Sequence, residues 1–402
     1  MSKRFVVIGI PDSDSIVLSD AQLEIVGKCR LFSGGLRHHE LVKRFLPEGY
    51  RWINITAPVD TALDAYLAAK ENLIVIFASG DPLFHGFANT LCNRLPEDEI
   101  EVCPYFNSLQ LLAHRFLLPY QKMRVVSLVG HPWPALDKAL IEGEEMIGIL
   151  TDRTHQPDTI ARRLLEYGYD NYRAYVGEHI GHERLQRFTA CSIEDMAKGE
   201  YSMPNNLILI KTANRPRPFG ILDETLQGLE GRAGMMTKRP MRLMTLSMLD
   251  LRQKKTLWDV GFCTGSVSVE AKLQIPTIHI EAFEKRIESE ELIINNCKRF
   301  GTPGINYHIG DFLTTETNEL PAPDAIFLGG YGGKMKEVLD KIDTYLLPGG
   351  CIVFNSVSEK SLSDFHTFTR KLGYKMEEDM LITVNEFNPI HCLKAVKPLS
   401  KE

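Results

Sequence analysis

The chain has no C-x-x-C pair, no long uninterrupted apolar run and no excess of basic residues, and each absence closes a class of function. Its eight cysteines (Cys29, Cys92, Cys103, Cys191, Cys263, Cys297, Cys351 and Cys392) are scattered. Neither a zinc cluster nor a disulfide framework is therefore expected, and reduced thiols are the default. A membrane helix needs roughly 18 apolar residues, whereas the N-terminal run "FVVIGI" breaks off at Pro11-Asp12. That break also lacks the look of a cleavage region, so the expectation is a cytoplasmic protein with no signal peptide and no membrane partner. A net charge of −6 leaves no electrostatic footprint for nucleic acid. His179 and His182, three apart in "GEHIGHER", are too few to define a metal site, and none is expected.

What is present is the composition of a globular protein: 402 residues, 44% hydrophobic and 24% charged. That length suits two or three domains. Short β-branched runs such as "RFVVIGI", "LIVIFA", "MIGIL", "TLWDVG", "TIHIEAF" and "AIFLGG" alternate with segments of helical periodicity such as "DTIARRLLEYG" and "ESEELIINNCKRF". Strand–helix alternation predicts α/β layers with largely parallel sheets. The strand "NNLILIK" runs into "TANRPRPFGILDET", which places a linker at about 213–230 between domains at 1–212 and 231–402. A weaker, Pro-marked turn in "FLLPYQKM" divides the first domain into pieces of about 1–116 and 117–212.

The segment "TLWDVGFCTGSVSVEAKL" carries the most chemistry. A strand ends at Asp259-Val260, a loop follows with Gly261 and Gly265, and a helix starts near Ser266. Glycines there permit positive φ and a close approach of ligand to backbone. Some twenty residues on, the next strand closes on Glu284, where an acid can accept the hydroxyls of a ribose. "NYHIGDF" then offers Asp311 for an adenine amine, and "PDAIFLGGYGG" ends a further strand in a Gly-rich loop. Phe262 and Cys263 fill the middle of the first loop, so this is not the dinucleotide fingerprint G-x-G-x-x-G and a pyrophosphate cradle is disfavoured.

The pattern D-V-G-x-x-T-G-S resembles motif I of the class I S-adenosylmethionine-dependent methyltransferases. "MMTKRPMRLMTLSMLDLRQKKTLWDVGFCTGSVSVEA" and "PDAIFLGGYGG" further resemble the decarboxylating precorrin methyltransferases of cobalamin biosynthesis, which carry T-K-x-E/P-x-R before motif I. That resemblance implies a Rossmann-like domain with cofactor contacts at Thr237, Gly261, Phe262, Cys263, Thr264, Gly265, Glu284, Asp311 and Phe312. Phe-Cys stands where the family usually has Ala-Gly.

In the first half, the strand "NLIVIFA" runs into "SGDPLFHGFAN". Gly80 and Gly86 keep the backbone accessible, Pro82 fixes the turn, and Asp81 can orient a polar group. This stretch resembles the G-D-P-L-F-Y-G segment of the tetrapyrrole methylases. "FSGGLRHHEL", "NSLQLLAHRFLLPYQKMRVVSLVGHP" and "YVGEHIGHERL" are similar to further segments of that family. The resemblance implies a fold of two α/β subdomains with a second S-adenosylmethionine bound between them, contacted by Gly9, Gly80, Asp81, Pro82 and Leu83. The first strand, however, ends "GIPDSDS", with Pro11 and Asp12 where the family has glycine.

Together the two resemblances imply a tetrapyrrole substrate, two methyl transfers, one decarboxylation and self-association of both halves. A proton donor beside the macrocycle would serve the decarboxylation, and Lys238, Arg239 and Tyr331 stand on loops expected to face the crevice. Arg37 and Lys238 are candidates for binding substrate carboxylates. Two alternatives stay open at this level: a half retained for binding alone, or a non-tetrapyrrole substrate such as RNA for the second half.

Overall fold

A computed structural model describes residues 3–399 apart from 14, 97, 233 and 385–387. The chain sorts into two compact units. The first comprises the chain up to His131 with Glu145–Arg162 and Tyr172–Thr212; the second comprises Pro132–Glu144, Arg163–Asn171 and everything from Ala213 onward.

The first unit holds two sheets. Strands β1 (Arg4–Ile10), β2 (Leu31–Gly34), β3 (Arg51–Asn54), β4 (Leu73–Ser79) and β5 (Glu99–Cys103) form a parallel sheet in the order β3-β2-β4-β1-β5. β1 and β4 are buried along almost their whole length, as the near-continuous apolar text of a parallel sheet requires. Strands β6 (Arg124–Ser127), β7 (Met146–Leu150), β8 (Tyr172–Glu178), β9 (Arg187–Ser192) and β10 (Asn205–Lys211) form the second sheet, in the order β6-β7-β10-β8-β9. Only β6 and β7 are parallel here; β10 runs antiparallel to both its neighbours, and β8 and β9 form an antiparallel pair. The helix Ser108–Arg115, capped by Asn107, packs Leu109, Leu112 and Ala113 against Met146 and Ile208 of this second sheet. The chain thus passes from one sheet to the other before Ser108, earlier than the turn at 116–123 suggested.

The second unit is built on one seven-stranded sheet: β11 (Thr256–Val260), β12 (His279–Glu284), β13 (Ile305–Ile309), β14 (Ala325–Leu328), β15 (Cys351–Ser356), β16 (Lys375–Ile382) and β17 (Ile390–Val396). Its order is β13-β12-β11-β14-β15-β17-β16, with β17 antiparallel to both neighbours and the rest parallel. The strand order reverses between β11 and β14, which puts the topological switch point at the ends of those two strands. Trp258, Phe283 and Phe354 pack on one face of this sheet, and Leu257, Phe327 and Val353 on the other.

The linker stretch 213–230 packs onto the second unit. Ile221 and Leu226 are buried with Phe262, Val269 and Ile293, and Gly220 and Ile221 donate their backbone N–H groups to Glu270 at 2.9 and 2.8 Å. Burial of Ile221 and Leu226 is enough to draw the segment onto the domain core.

Gly9 shows how tightly the first sheet ends. A Cβ there would lie 2.0 Å from the Gly80 carbonyl oxygen and 2.7 Å from the Tyr105 nitrogen. Gly27, on the exposed face of the helix Asp20–Lys28, has nothing within 4 Å of such an atom. Gly9→Ala should therefore cost about 2–3 kcal/mol in guanidinium unfolding, whereas Gly27→Ala should stabilise by about 0.5–1 kcal/mol. Equal effects at the two positions would show that the end of β1 is not crowded.

Candidate functional site

The turns at the C-terminal ends of β11, β12, β13 and β14 meet and are stitched together by backbone hydrogen bonds. Gly261 N–H donates to Phe283 O at 2.7 Å, Gly310 N–H to Glu284 O at 2.9 Å and Gly329 N–H to Val260 O at 2.8 Å. Gly261 has φ +81°, and a Cβ on it would sit 2.5 Å from the nitrogen of Gly330. No side chain fits between these turns, so the floor of the crevice is bare backbone. Above it lies a cavity of about 930 Å³, large enough for a nucleoside with room for part of a second ligand.

Thr237, Lys238, Gly261, Phe262, Cys263, Glu284, Asp311, Phe312 and Tyr331 all line this cavity. Thr264 and Gly265 lie behind it: the Thr264 carbonyl accepts from Asn296 Nδ2 at 2.9 Å, and Gly265, at φ +71°, precedes the helix Ser266–Gln274. Arg239 is brought elsewhere, with its side-chain stem lying against Gly220. The Phe-Cys pair that stands in place of Ala-Gly is accommodated. Phe262 buries its ring among Ile221, Leu226 and Ile293, and Cys263 takes φ +54°.

Glu284 is buried and accepts from the backbone N–H groups of Cys263, Lys285 and Arg286 at 3.0, 2.9 and 3.1 Å. The Arg286 guanidinium binds both of its oxygens, at 3.0 and 3.1 Å. Asp311 accepts from the Leu313 N–H at 2.9 Å through one oxygen, and its other oxygen is 4.0 Å from Lys334 Nζ. Behind the loop, the fully buried Asp259 accepts from Ser268 Oγ at 2.6 Å. Burial, and secondarily the charge of Glu284, push its carboxyl up to about 7.

Several wall residues belong to no motif. Lys285, Arg286 and Lys334 add cationic character, while Ile382, Val384 and Ile390 supply an apolar wall from the far end of the chain. Arg242 went unassigned too, although it is the arginine of "TKRPMR". Fully buried, it donates to the Thr237 carbonyl at 2.8 Å, to Asp223 at 3.2 Å and to Glu270 at 3.3 Å, and it also reaches the Ile221 carbonyl. It thereby fixes the Thr237-Lys238 loop over the crevice.

The first unit carries a second cavity, of about 500 Å³, between the turn after β4 and residues Ser127, Val129, Leu150 and Ile180 of the second subdomain. Gly80 and Asp81 line it; Gly9, Pro82 and Leu83 do not. Gly80 has φ +60°, donates to the Ile10 carbonyl at 2.9 Å and accepts from Tyr105 N–H at 3.3 Å. Asp81 accepts from the Leu83 N–H at 2.9 Å, and the Pro82 carbonyl accepts from Ala88 N–H at 3.1 Å, opening the next helix. The altered turn after β1 brings Pro11 and Asp12 to the cavity wall, where Asp12 pairs with Arg37 at 2.5 Å. Arg37 thus has an internal partner already. His38 Nδ1 accepts from Gly35 N–H at 3.2 Å, which leaves Nε2 to donate to Ser79 Oγ at 2.8 Å. Burial, then the charge of Arg37, lower its pKa and keep it neutral.

Among the described residues no group of His, Cys, Asp and Glu could hold a metal ion, and no helix is long and apolar enough to cross a membrane.

Comparison with known proteins assigns both halves. Residues 4–197 match the tetrapyrrole (corrin/porphyrin) methylases, and residues 231–401 match the precorrin methyltransferase domain. The chain is 29% identical over 402 residues to precorrin-6Y C(5,15)-methyltransferase [decarboxylating] of a Sinorhizobium species, across 99% of this chain and 94% of that one. It is 36% identical to cobalt-precorrin-6B C(15)-methyltransferase (decarboxylating) of Salmonella typhi, over 42% of this chain and 87% of that protein. It is 24% identical to cobalt-precorrin-7 C(5)-methyltransferase of Salmonella typhimurium, over 44% of this chain and 85% of that protein. A doubly wound sheet with a glycine-floored crevice, joined to a tetrapyrrole methylase half, defines a methyltransferase that uses S-adenosylmethionine. The chain belongs to the precorrin methyltransferase family.

Two outcomes follow from the second unit's site. The Asp259 carboxyl titrates near 4 when unfolded and at about 7 when folded. The native state therefore binds more protons between those values, and stability falls as pH rises from about 4 through 7. Asp259→Asn should remove that slope, on the order of 4 kcal/mol across the window, in denaturant titrations at several pH values; an unchanged slope would place the titration elsewhere. Burial also raises the Cys263 thiol to about 11, whereas Cys92 is exposed. Iodoacetamide at pH 8 should accordingly label Cys92 well before Cys263 in peptide mapping, and the reverse order would contradict the raised pKa of the Cys263 thiol.

Proposed function

We propose that this chain is a precorrin-6Y C5,15-methyltransferase (decarboxylating). It methylates a tetrapyrrole at ring carbons 5 and 15 and removes the acetate carboxyl on ring carbon 12 as carbon dioxide. The observation that carries the reading is the whole-length likeness to the Sinorhizobium enzyme of that name, combined with two unlike crevices on one chain. The functional division we infer is 1–212 for carbon 5 and 231–402 for carbon 15 and the decarboxylation, with 213–230 between them. Each part holds its own S-adenosylmethionine. The protein acts in the cytoplasm as a self-associating enzyme, without nucleic acid.

The residues present fit a nucleoside donor in the second unit. The bare floor at Gly261 and Gly330 leaves room that a Cβ would fill; Glu284 suits ribose hydroxyls, Asp311 an adenine amine, and Phe312 a ring face. When bound, the donor supplies an electrophilic methyl on sulfonium, which becomes a thioether as the carbon–sulfur bond breaks. The macrocycle carbon forms the new carbon–carbon bond and the ring loses a proton. The chain's task is to hold carbon and methyl in line, about 3 to 3.5 Å apart, and to exclude water. Ile382, Val384 and Ile390 serve the exclusion, and Lys238 and Lys334 serve the peripheral carboxylates. In the decarboxylation the carbon–carbon bond to the carboxyl breaks, its electron pair enters the conjugated ring, and a proton returns to carbon. Lys238 and Tyr331 stand on the cavity wall as the groups to deliver that proton. Arg239, which lies against Gly220, has no direct part in this reading.

The test is incubation of the full-length protein with precorrin-6Y, or its cobalt complex, and methyl-labelled donor, followed by mass spectrometry. Two labelled methyls and one loss of carbon dioxide are expected. Gly265→Arg, which pushes into Ile293, should abolish the carbon-15 methyl and the decarboxylation but spare carbon 5. Gly80→Val should do the converse. Calorimetry with S-adenosylhomocysteine should return two sites per chain; a single site would mean that one half does not hold the donor.

A further inference from the structure

The Glu284 carboxylate has about four lone-pair positions, and the protein already claims all of them. Three donors are backbone N–H groups, those of Cys263, Lys285 and Arg286, fixed by the turns that end β11 and β12. The remaining donor is the Arg286 guanidinium, which bridges both carboxylate oxygens. A ribose diol that engages Glu284 needs acceptor positions on the same carboxylate. The backbone donors cannot yield without unpicking the ends of two strands, whereas the Arg286 side chain is about one-third exposed and lines the cavity. Arg286 is therefore the group that has to move.

Where it can go is limited by charge. Lys238, Lys285 and Lys334 line the same cavity, and among the described residues the lining acid besides Glu284 is Asp311, which already faces Lys334 at 4.0 Å. A displaced guanidinium, permanently charged and with five N–H donors in a planar fork, meets repulsion from three ammonium groups and finds no carboxylate besides Glu284 and Asp311 among the described lining residues. An incoming carboxylate answers that need. We propose that Arg286 couples the two ligands of this site: Glu284 holds it until the ribose hydroxyls take its place, and it then becomes a bidentate receptor for a carboxylate of the tetrapyrrole. This rests on the reading of the second unit as a donor-binding methyltransferase site, and it adds an order of assembly, donor first and macrocycle second. Coupling of this kind is reciprocal, so each ligand tightens the other by the same factor.

The test uses the full-length protein, S-adenosylhomocysteine followed by calorimetry, and uroporphyrin, a stable tetrapyrrole octacarboxylate, followed by its fluorescence. In the parent protein, saturating S-adenosylhomocysteine should tighten uroporphyrin binding about tenfold. In Arg286→Gln the donor analogue should bind one of its sites several-fold more tightly, because nothing charged has to be displaced, and the tightening of uroporphyrin should disappear. Arg286→Lys keeps the charge without the fork and should retain part of the coupling. Unchanged coupling in Arg286→Gln, or weaker binding of the donor analogue at every site, would overturn the proposal while leaving the methyltransferase reading in place. Failure of the parent protein to bind S-adenosylhomocysteine would instead remove the reading on which the proposal stands.

Discussion

Adjacent parallel strands end at the same edge of a sheet about 4.8 Å apart, and the turns that follow them compete for the space beyond. Both units of this chain resolve that competition by removing side chains. In the first, Gly9 at the end of β1 meets the Gly80 carbonyl after β4. In the second, Gly261 after β11 meets Gly330 after β14. Each contact is backbone on backbone, each sits between neighbouring parallel strands, and each leaves a crevice whose floor is made of peptide groups. A floor of that kind offers N–H and C=O groups to a ligand at close range and carries no charge of its own. The positioning of everything else, the acids at the strand ends and the walls above them, follows from where these paired turns lie.

Two acids on the crevice walls are already paired with arginines. Glu284 pairs with Arg286 on one crevice wall, Asp12 on the other wall pairs with Arg37, and Glu270 with Arg242 is a fully buried pair behind the first. The buried pair is the structural one. Removing either partner would strand a charge where water cannot reach it, and the hydrogen bonds of Arg242 to Thr237 and Ile221 would be lost with it. The two wall pairs differ in kind, because each has a solvent-accessible arginine that can exchange its carboxylate for another. Rigidity behind the loop and exchangeability in front of it are what a site for a polyanionic ligand requires.

Much of the second unit's site could be read from the chain because its signals are local. Gly261, Glu284 and Asp311 each end a strand or open the turn after it, and strand ends at a switch point face the ligand whatever the rest of the fold does. The placement of Lys238 and Arg239 could not be read this way. They are neighbours in sequence, but Lys238 caps the helix Arg239–Leu249 and Arg239 begins it, so the helix geometry turns one toward the cavity and the other toward Gly220. The apolar wall at Ile382, Val384 and Ile390 was hidden for a different reason. It depends on the antiparallel pairing of β16 with β17 and of β17 with β15, a non-local choice that no motif announces. The packing of the segment 213–230 is not announced by its prolines; it depends on the burial of Ile221 and Leu226 against the core of the second unit. In the first half, Gly9 was legible as a required glycine but not in its role: it makes room for Gly80 instead of lining the cavity.

The mixture of walls in the larger cavity bears on the chemistry proposed for it. A cation beside a carboxylate stabilises the charged ground state more than the neutralising transition state for loss of carbon dioxide, and so slows that loss. Lys285, Lys334 and a released Arg286 are therefore suited to carboxylates that must stay. The acetate that is lost should lie away from them, against Ile382, Val384 and Ile390, where burial destabilises its charge. An apolar wall is then more than a barrier to water, because it selects which of many similar carboxylates reacts. A cavity lined only by lysines and arginines would bind the macrocycle more tightly and decarboxylate it more slowly.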